Sequence, residues 1–77
     1  MLKVVIQMAN RLKDLREDAD LTQNQVAQAI GITQRKYSYI ETGTQLLTED
    51  ILVRLSRFYQ VSTDYILRLS DKKLPPQ

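Results

Sequence analysis

The chain contains no cysteine and no histidine among its 77 residues. The absence of cysteine excludes disulfides and thiolate nucleophiles, and the absence of both excludes zinc sites built on sulfur or imidazole. Catalysis that needs imidazole as a general acid or base is excluded as well. The remaining acid–base groups are scattered carboxylates, lysines and tyrosines, and no pair of them converges on a plausible pocket. We therefore expect no enzyme activity, no catalytic residue, no metal and no cofactor.

Glycine and proline are scarce, with two of each, and both prolines stand near the end of the chain at Pro75 and Pro76. Nothing between Met1 and Lys73 therefore forbids a helix. Phe, Trp and Tyr together make up only 6% of the residues, which argues against a β-sandwich or a β-barrel. These scarcities predict an all-α fold.

Long hydrophobic runs are also missing, since the longest are stretches such as Val4–Ile6 and Ile51–Val53. A membrane-spanning helix needs about 20 apolar residues, so we expect a soluble, cytoplasmic protein without a membrane partner. Eleven Lys and Arg residues against nine Asp and Glu residues give a formal net charge of +2. That excess is too small to identify a binding partner, so the positions of the charges must decide.

Four hydroxyl residues mark helix starts. Each follows an apolar residue and precedes another by four positions, which is typical of an N-cap with a hydrophobic staple; the four are Thr22, Thr33, Thr48 and Ser62. Thr22 and Gln25 also have the spacing of a capping box. Apolar spacings of three and four predict five helices, near residues 7–18, 23–30, 34–41, 49–59 and 63–70, in one compact domain spanning 7–71.

The connection between the second and third of these helices has only three residues, 31–33. It leaves no room for an antiparallel hairpin, so it predicts the sharp crossing of a helix-turn-helix. The two ends of the chain are less definite. Residues 1–6 form either a short strand, which could pair with a second copy, or more simply an arm or helix extension. Residues 72–77 are polar and end with two prolines, so we expect a disordered tail.

The stretch Gln23–Ile40 resembles the helix-turn-helix of the phage repressor and Cro type, the XRE family, and the resemblance extends over about Met8–Ser70. It implies a lambda-repressor-like fold and a DNA-binding regulator of bacterial or phage origin. An ion pair between Arg16 and Glu41 is implied as well. Other residues are expected to have structural roles only. They are the small residue Ala27, the turn residue Gly31 and the core residues Val26, Ile30, Tyr37 and Ile40. The Tyr37 hydroxyl is expected to reach the edge of the core.

No acidic residue occurs from Leu21 through Ile40, which suits contact with a polyanion. The docking that the family implies places the third helix in the major groove of double-stranded DNA. The candidate base-reading residues are then Gln34, Arg35, Lys36, Ser38 and Tyr39. The candidate phosphate contacts are Thr22, Gln23, Thr33, Thr44 and Gln45.

Two positions depart from the family pattern. Gly43 is followed by Thr44–Leu47, where the family commonly has a Lys or Arg and a proline. Fewer cations there predict weaker and less salt-sensitive DNA binding. Asp20 replaces a glycine that precedes the second helix, so we expect Asp20 to adopt a left-handed backbone conformation.

The resulting hypothesis is a sequence-specific transcriptional regulator, a repressor that binds a two-fold operator as a homodimer. Candidate dimer contacts are the fifth helix with Tyr65, Leu69 and Leu74, or residues 1–6. Arg54, Arg57 and Arg68 are expected to be solvated or at a subunit contact. The alternatives are an antitoxin or restriction-modification controller of the same fold, with a protein partner, or a protein-interaction module that has lost DNA binding.

Overall fold

A computed structural model describes residues 11–73 of the chain. Within that range the chain forms five helices: α1 (Leu12–Asp18), α2 (Gln23–Ile30), α3 (Gln34–Thr42), α4 (Glu49–Tyr59) and α5 (Thr63–Ile66). The described residues contain no strand, so the predicted all-α fold is confirmed. The predictions for residues 1–6, for the start of the first helix at residue 7 and for residues 74–77 lie outside the described residues.

Hydroxyl side chains cap four of the helices at the predicted positions. The side chains of Thr22, Thr33, Thr48 and Ser62 each accept a hydrogen bond from the backbone N–H three residues further on. The predicted capping box is also confirmed, because the Thr22 N–H donates to Gln25 Oε1 at 2.8 Å. Each such cap contributes about 1 kcal/mol, which is substantial for a domain of this size.

Left-handed residues end the two central helices. Gly31 has φ 81° and Gly43 has φ 84°, a conformation that glycine adopts without the steric cost of a Cβ. After α2, the Ile32 N–H donates to the Ala27 carbonyl at 2.9 Å and the Gly31 N–H to the Gln28 carbonyl at 3.2 Å. These are the two hydrogen bonds of a Schellman motif. The motif turns the chain sharply from α2 to the start of α3.

Asp20 also has a left-handed conformation, with φ 57°, so the expectation for this replacement of glycine is confirmed. A short polar side chain tolerates that conformation at modest cost. The turn that contains Asp20 connects α1 to α2, and the Leu21 N–H donates to the Arg16 carbonyl at 3.1 Å.

One core joins all five helices. Its fully buried large side chains are Leu12, Val26, Tyr37, Ile40, Leu55 and Ile66. Ala27, a small residue of α2, is also fully buried in this core. The Tyr37 hydroxyl is wholly inside this core, and the prediction that it reaches the edge is wrong. The reason is that the whole tyrosine, and not only its ring, is buried, with its hydroxyl next to Glu41 and Tyr59.

The fifth helix is shorter than predicted, because α5 ends at Ile66 and not near residue 70. Arg68 adopts a left-handed conformation with φ 61°. The Leu69 N–H then donates to the Asp64 carbonyl at 2.8 Å, and the Arg68 N–H to the Tyr65 carbonyl at 3.1 Å. These bonds end α5 without a glycine, so the sequence has no typical C-cap residue from which the end of this helix could be predicted.

Arg11 holds the segment after α5 against the rest of the domain. Its guanidinium lies 4.2 Å from the centre of the Tyr65 ring, donates to the Ser70 carbonyl at 3.1 Å and pairs with Asp71 at 2.8 Å. One face of Tyr65 is therefore covered from within the same chain. Leu69 is 68% exposed, and Leu74 lies outside the described residues.

Candidate nucleic-acid interface

The N-terminus of α2 presents backbone N–H groups that have no acceptor within the helix. The capping box uses two of the donors, those of Thr22 and Gln25. The N–H groups of Gln23 and Asn24 are the first-turn donors that remain. No carboxylate lies in the first turn of α2, so the positive end of the helix dipole is not neutralised there.

The first turns of α3 carry the predicted base-reading side chains. Gln34 and Arg35 are exposed, and Lys36 and Ser38 are half-buried. Tyr39 is 41% exposed. α3 begins at the N-cap Thr33, whose Oγ1 accepts from the Lys36 N–H at 3.1 Å and whose side chain is exposed. The structure therefore brings polar and cationic groups together at the start of α3.

The loop after α3 holds the other two predicted phosphate contacts. The N–H groups of Thr44 and Gln45 both donate to the Tyr39 carbonyl, at 2.8 and 3.0 Å, so these backbone donors close α3. The Thr44 hydroxyl lies 3.1 Å from that of Thr42 and is exposed, whereas Gln45 is half-buried. Leu46 is 46% exposed. The loop thus offers hydroxyl, amide and apolar surface and no cation.

Arg16 and Glu41 form a bidentate ion pair that connects α1 to α3. Arg16 Nε lies 2.9 Å from Glu41 Oε2, and Arg16 Nη2 lies 3.0 Å from Glu41 Oε1. Arg16 Nη1 also donates to the Leu21 carbonyl at 3.0 Å. The side chains are 15% and 3% exposed. Such a pair fixes the geometry of both charged groups more firmly than a surface ion pair does.

Gln23 connects α2 to this ion pair, because its side-chain Nε2 donates to Glu41 Oε1 at 3.2 Å. Burial alone would raise the pKa of Glu41, but the hydrogen bonds from Arg16 and Gln23, together with the nearby Tyr37 hydroxyl, outweigh it and lower the pKa. The hydrogen bond to Glu41 raises the pKa of Arg16. Both groups therefore stay charged, and the Glu41 carboxylate holds α1, α2 and α3 in one arrangement.

Two buried tyrosine hydroxyls lie next to this carboxylate. Burial raises the pKa of Tyr37 far above its usual range, and Glu41 adds to the effect. Burial likewise raises the pKa of Tyr59 to about 12. Neither hydroxyl forms a hydrogen bond of good geometry within the described residues, although both are near enough to Glu41 to feel its charge. They therefore remain protonated and act as packing groups.

Residues 7–69 match the helix-turn-helix domain family. The chain belongs to this family. It is 43% identical over 65 residues to the uncharacterised HTH-type transcriptional regulator YobD of Bacillus subtilis, covering 84% of this chain and 58% of YobD. It is 37% identical over 60 residues to the HTH-type transcriptional regulator ImmR of the same organism, covering 78% and 47%.

A third relative is the cryptic phage CTXphi transcriptional repressor RstR of Vibrio cholerae, 36% identical over 53 residues, with 69% of this chain and 48% of RstR covered. The chain thus spans about half the length of the curated relatives it matches. No solved structure matches it significantly. Membership of the family agrees with the lambda-repressor-like fold and with the prediction that the domain is not an enzyme.

In the helix-turn-helix domain, the stretch without an exposed carboxylate continues beyond Ile40. The next acidic residue, Glu41, is paired with Arg16 and its side chain is 3% exposed. The residues that follow, 42–48, contain no acid. The surface formed by the starts of α2 and α3 and by the loop 43–48, which we call the polar face, therefore has no exposed carboxylate from residue 21 to residue 48.

Sequence reasoning missed three features of the helix-turn-helix domain. Arg54 is not simply solvated, because it donates to the Ile30 carbonyl at 2.9 Å and pairs with Asp50 at 3.0 Å. The spacing of Asp50 and Arg54 could have suggested the second contact, but not the first. Arg68 approaches Asp14 at 3.7 Å. Asn24, exposed at the start of α2, belongs on the polar face with its neighbours.

No group of residues that could hold a metal ion occurs in the range 11–73. In the same part of the chain, no helix is both long and apolar enough to cross a membrane.

Proposed function

We propose that this helix-turn-helix domain is a sequence-specific regulator of transcription that binds double-stranded DNA through its polar face. The observation that carries the proposal is the coincidence of two helix starts, exposed amide and cationic side chains, and the lack of any exposed carboxylate from residue 21 to residue 48. DNA carries a high density of phosphate charge, so a surface free of carboxylates meets it without repulsion.

The start of α3 enters the major groove and reads the bases. Gln34 is suited to the bidentate hydrogen-bond pair of adenine, and Arg35 to the N7 and O6 acceptors of guanine. Lys36 is a second cation for guanine or phosphate. Each well-formed bidentate contact contributes about 1 to 3 kcal/mol of discrimination against a wrong base. Ser38 and Tyr39 lie further along the helix and contact base edges or a thymine methyl group.

Phosphates bind on either side of α3. The free N–H groups of Gln23 and Asn24, at the positive end of the α2 dipole, hold one phosphate, together with the hydroxyl of Thr22. Thr33 donates its hydroxyl proton to a phosphate while its oxygen caps α3. Thr44 and Gln45 contribute neutral contacts from the loop. These contacts fix the position of the domain on the duplex and do not select a sequence.

A homodimer on a two-fold operator completes the proposal. One domain of this kind reads a short half-site, and two half-sites about one helical turn apart supply the remaining specificity. A repressor role is supported by the relative that is itself named a transcriptional repressor. The domain would be cytoplasmic and of bacterial or phage origin, and its place within the XRE group rests on the resemblance of residues 23–40.

Selection of bound sequences from a random double-stranded DNA pool tests the proposal, at low and at moderate salt. We expect enrichment of a two-fold site whose half-sites lie about 10 base pairs apart. Gln34→Ala and Arg35→Ala should each reduce affinity for the enriched site about 5- to 150-fold, the equivalent of 1 to 3 kcal/mol. The control is Arg57→Ala, which removes an exposed cation of α4 outside the polar face.

No enrichment, or enrichment that Gln34→Ala and Arg35→Ala leave unchanged, contradicts base reading by α3. Enrichment of a single half-site without two-fold symmetry contradicts the homodimer alone. If the domain instead retains a co-purified protein and no DNA, the alternative of a protein-interaction module is favoured, for which the 46% exposed Leu46 is the natural contact.

A further inference from the structure

Arg54 of α4 reaches the end of α2 and contacts the turn of the helix-turn-helix. Its Nη1 donates to the Ile30 carbonyl at 2.9 Å, and its Nη2 lies 3.0 Å from Asp50 Oδ2, one turn earlier on α4. The same Nη1 would lie 3.5 Å from a Cβ added at Gly31. The guanidinium is thus held by Asp50 and packs directly on the turn between α2 and α3.

Among the described residues, the turn supplies no backbone donor to the Ile30 carbonyl, nor to that of Ala29. The Ala27 and Gln28 carbonyls accept from the N–H groups of Ile32 and Gly31, whereas Ile30 is the last residue of α2 and its carbonyl points beyond the helix. It lies at the negative end of the helix dipole, where a cation is stabilising. A charge-assisted hydrogen bond there is stronger than one between neutral groups.

α2 is therefore held at both ends by side chains of other helices. At its start, Gln23 is bonded to Glu41 of α3; at its end, Ile30 is bonded to Arg54 of α4. The turn that Arg54 contacts has only three residues and sets the angle between α2 and α3. Any change in that angle moves the start of α3 relative to the start of α2, which together form the polar face.

We propose that Arg54 is a positioning residue for DNA recognition, which fixes the angle between α2 and α3 by capping the Ile30 carbonyl and contacting the Gly31 turn. This inference rests on the proposed function. Specific binding needs α3 and the α2 phosphate site to be correct at the same time, whereas non-specific binding depends mainly on charge. Loss of the Arg54 contact should therefore reduce specific binding far more than non-specific binding.

Arg57 provides a matched control. It is an exposed arginine on the same helix, it borders the same groove as Arg54, Ile30 and Gly31, and among the described residues its guanidinium forms no ion pair. Arg54→Ala and Arg57→Ala therefore remove the same charge from the same region, and only the first removes the contact with the turn. Arg54→Lys keeps the charge with a single ammonium group, which cannot reproduce both planar contacts.

The experiment has two arms, both on the full chain. The first measures affinity for the selected site and for a scrambled duplex at one salt concentration. We expect Arg54→Ala to lower the ratio of specific to non-specific affinity about tenfold. Arg54→Lys should lower this ratio less, and Arg57→Ala should leave it unchanged. The second measures amide hydrogen exchange of Gly31 and Ile32, whose N–H groups form the turn. We expect faster exchange in Arg54→Ala and wild-type exchange in Arg57→Ala.

The inference is overturned if Arg54→Ala lowers specific and non-specific affinity equally, if Arg57→Ala has the same effect on the ratio, or if exchange of Gly31 and Ile32 is unchanged. If Arg54→Ala does not fold, the same three comparisons are made with Arg54→Lys. A wild-type chain that distinguishes no DNA sequence contradicts the proposed function, and the exchange arm then decides separately whether Arg54 holds the turn.

Discussion

Replacement of Arg16 by methionine tests the ion pair that connects the helices. The change removes the two hydrogen bonds to Glu41 and the one to the Leu21 carbonyl, and it leaves a carboxylate whose side chain is 3% exposed. Among residues 11–73, the Gln23 side chain, at 3.2 Å, is then the one hydrogen-bond donor to that carboxylate with good geometry. Methionine fills a similar length of apolar space, so the loss is mainly electrostatic.

Breaking a buried pair by removing one partner costs about 3 to 5 kcal/mol. Arg16 is 15% exposed, so water reaches part of the pair and the lower end, about 3 kcal/mol, is expected. A domain of this size has roughly 4 to 12 kcal/mol of stability, and its Tm falls by about 4 to 8 °C for each kcal/mol. We therefore expect Arg16→Met to lower the Tm by roughly 12 to 24 °C.

Urea unfolding followed by circular dichroism measures the effect, with Lys13→Met as the control. Lys13 is an exposed cation on the same helix, so its removal should change the free energy of unfolding by less than about 0.5 kcal/mol. A loss below about 1 kcal/mol in Arg16→Met, or a loss equal to that of Lys13→Met, refutes the structural role of the pair.

The same measurement has a pH dependence with a defined sign. The pKa of Glu41 is lowered in the folded state, so its contribution to stability is complete above the pKa of the unfolded chain, about 4.3, and is lost as the pH falls through the lower folded value. The difference in the free energy of unfolding between wild type and Arg16→Met should therefore become smaller as the pH falls below about 4. A difference that widens in acid contradicts this assignment.

Three further predictions concern the turn, the core and the phosphate contacts. Gly31→Ala should cost about 1 to 2 kcal/mol in thermal unfolding, because φ is 81°, and an unchanged Tm contradicts the strain. Tyr37→Phe should cost less than about 1 kcal/mol, because the hydroxyl has no well-formed hydrogen bond; a loss above about 2 kcal/mol would mean that it donates to Glu41. The logarithm of the DNA association constant should fall with the logarithm of the salt concentration with a slope no steeper than about −4, the limit if Arg35 and Lys36 of both subunits each neutralised a phosphate, and a slope beyond about −7 would require further cations.

Much of the fold follows from local patterns in the sequence. The hydroxyl caps depend on residues within one turn of each helix, so they could be predicted from the sequence, and the resemblance to a family with glycine at that position indicated the left-handed Asp20. The end of α5 could not, because Arg68 is a residue that seldom adopts φ 61° and the bonds that hold it there are made by Asp64 and Tyr65 backbone carbonyls.

Part of the candidate site could likewise be predicted from the sequence, and part could not. The acid-free stretch and the side chains at the start of α3 are visible in the sequence, and the resemblance to a known family located the Arg16–Glu41 pair. The contact between Arg54 and the Ile30 carbonyl joins residues 24 positions apart, and the Tyr37 hydroxyl is buried next to Glu41 and Tyr59, which lie on different helices. Both require the tertiary arrangement of helices, which no local pattern specifies.

The base preferences of the wild type and of Arg35→Ala, measured on every single-base variant of the selected site, test the central claim most directly. If α3 reads bases through this exposed arginine, the variant should lose its preference at one or two positions of each half-site and keep the others, while Arg57→Ala keeps the whole profile. An unchanged profile with uniformly weaker binding would show that Arg35 contacts only phosphate and would contradict base reading by that residue.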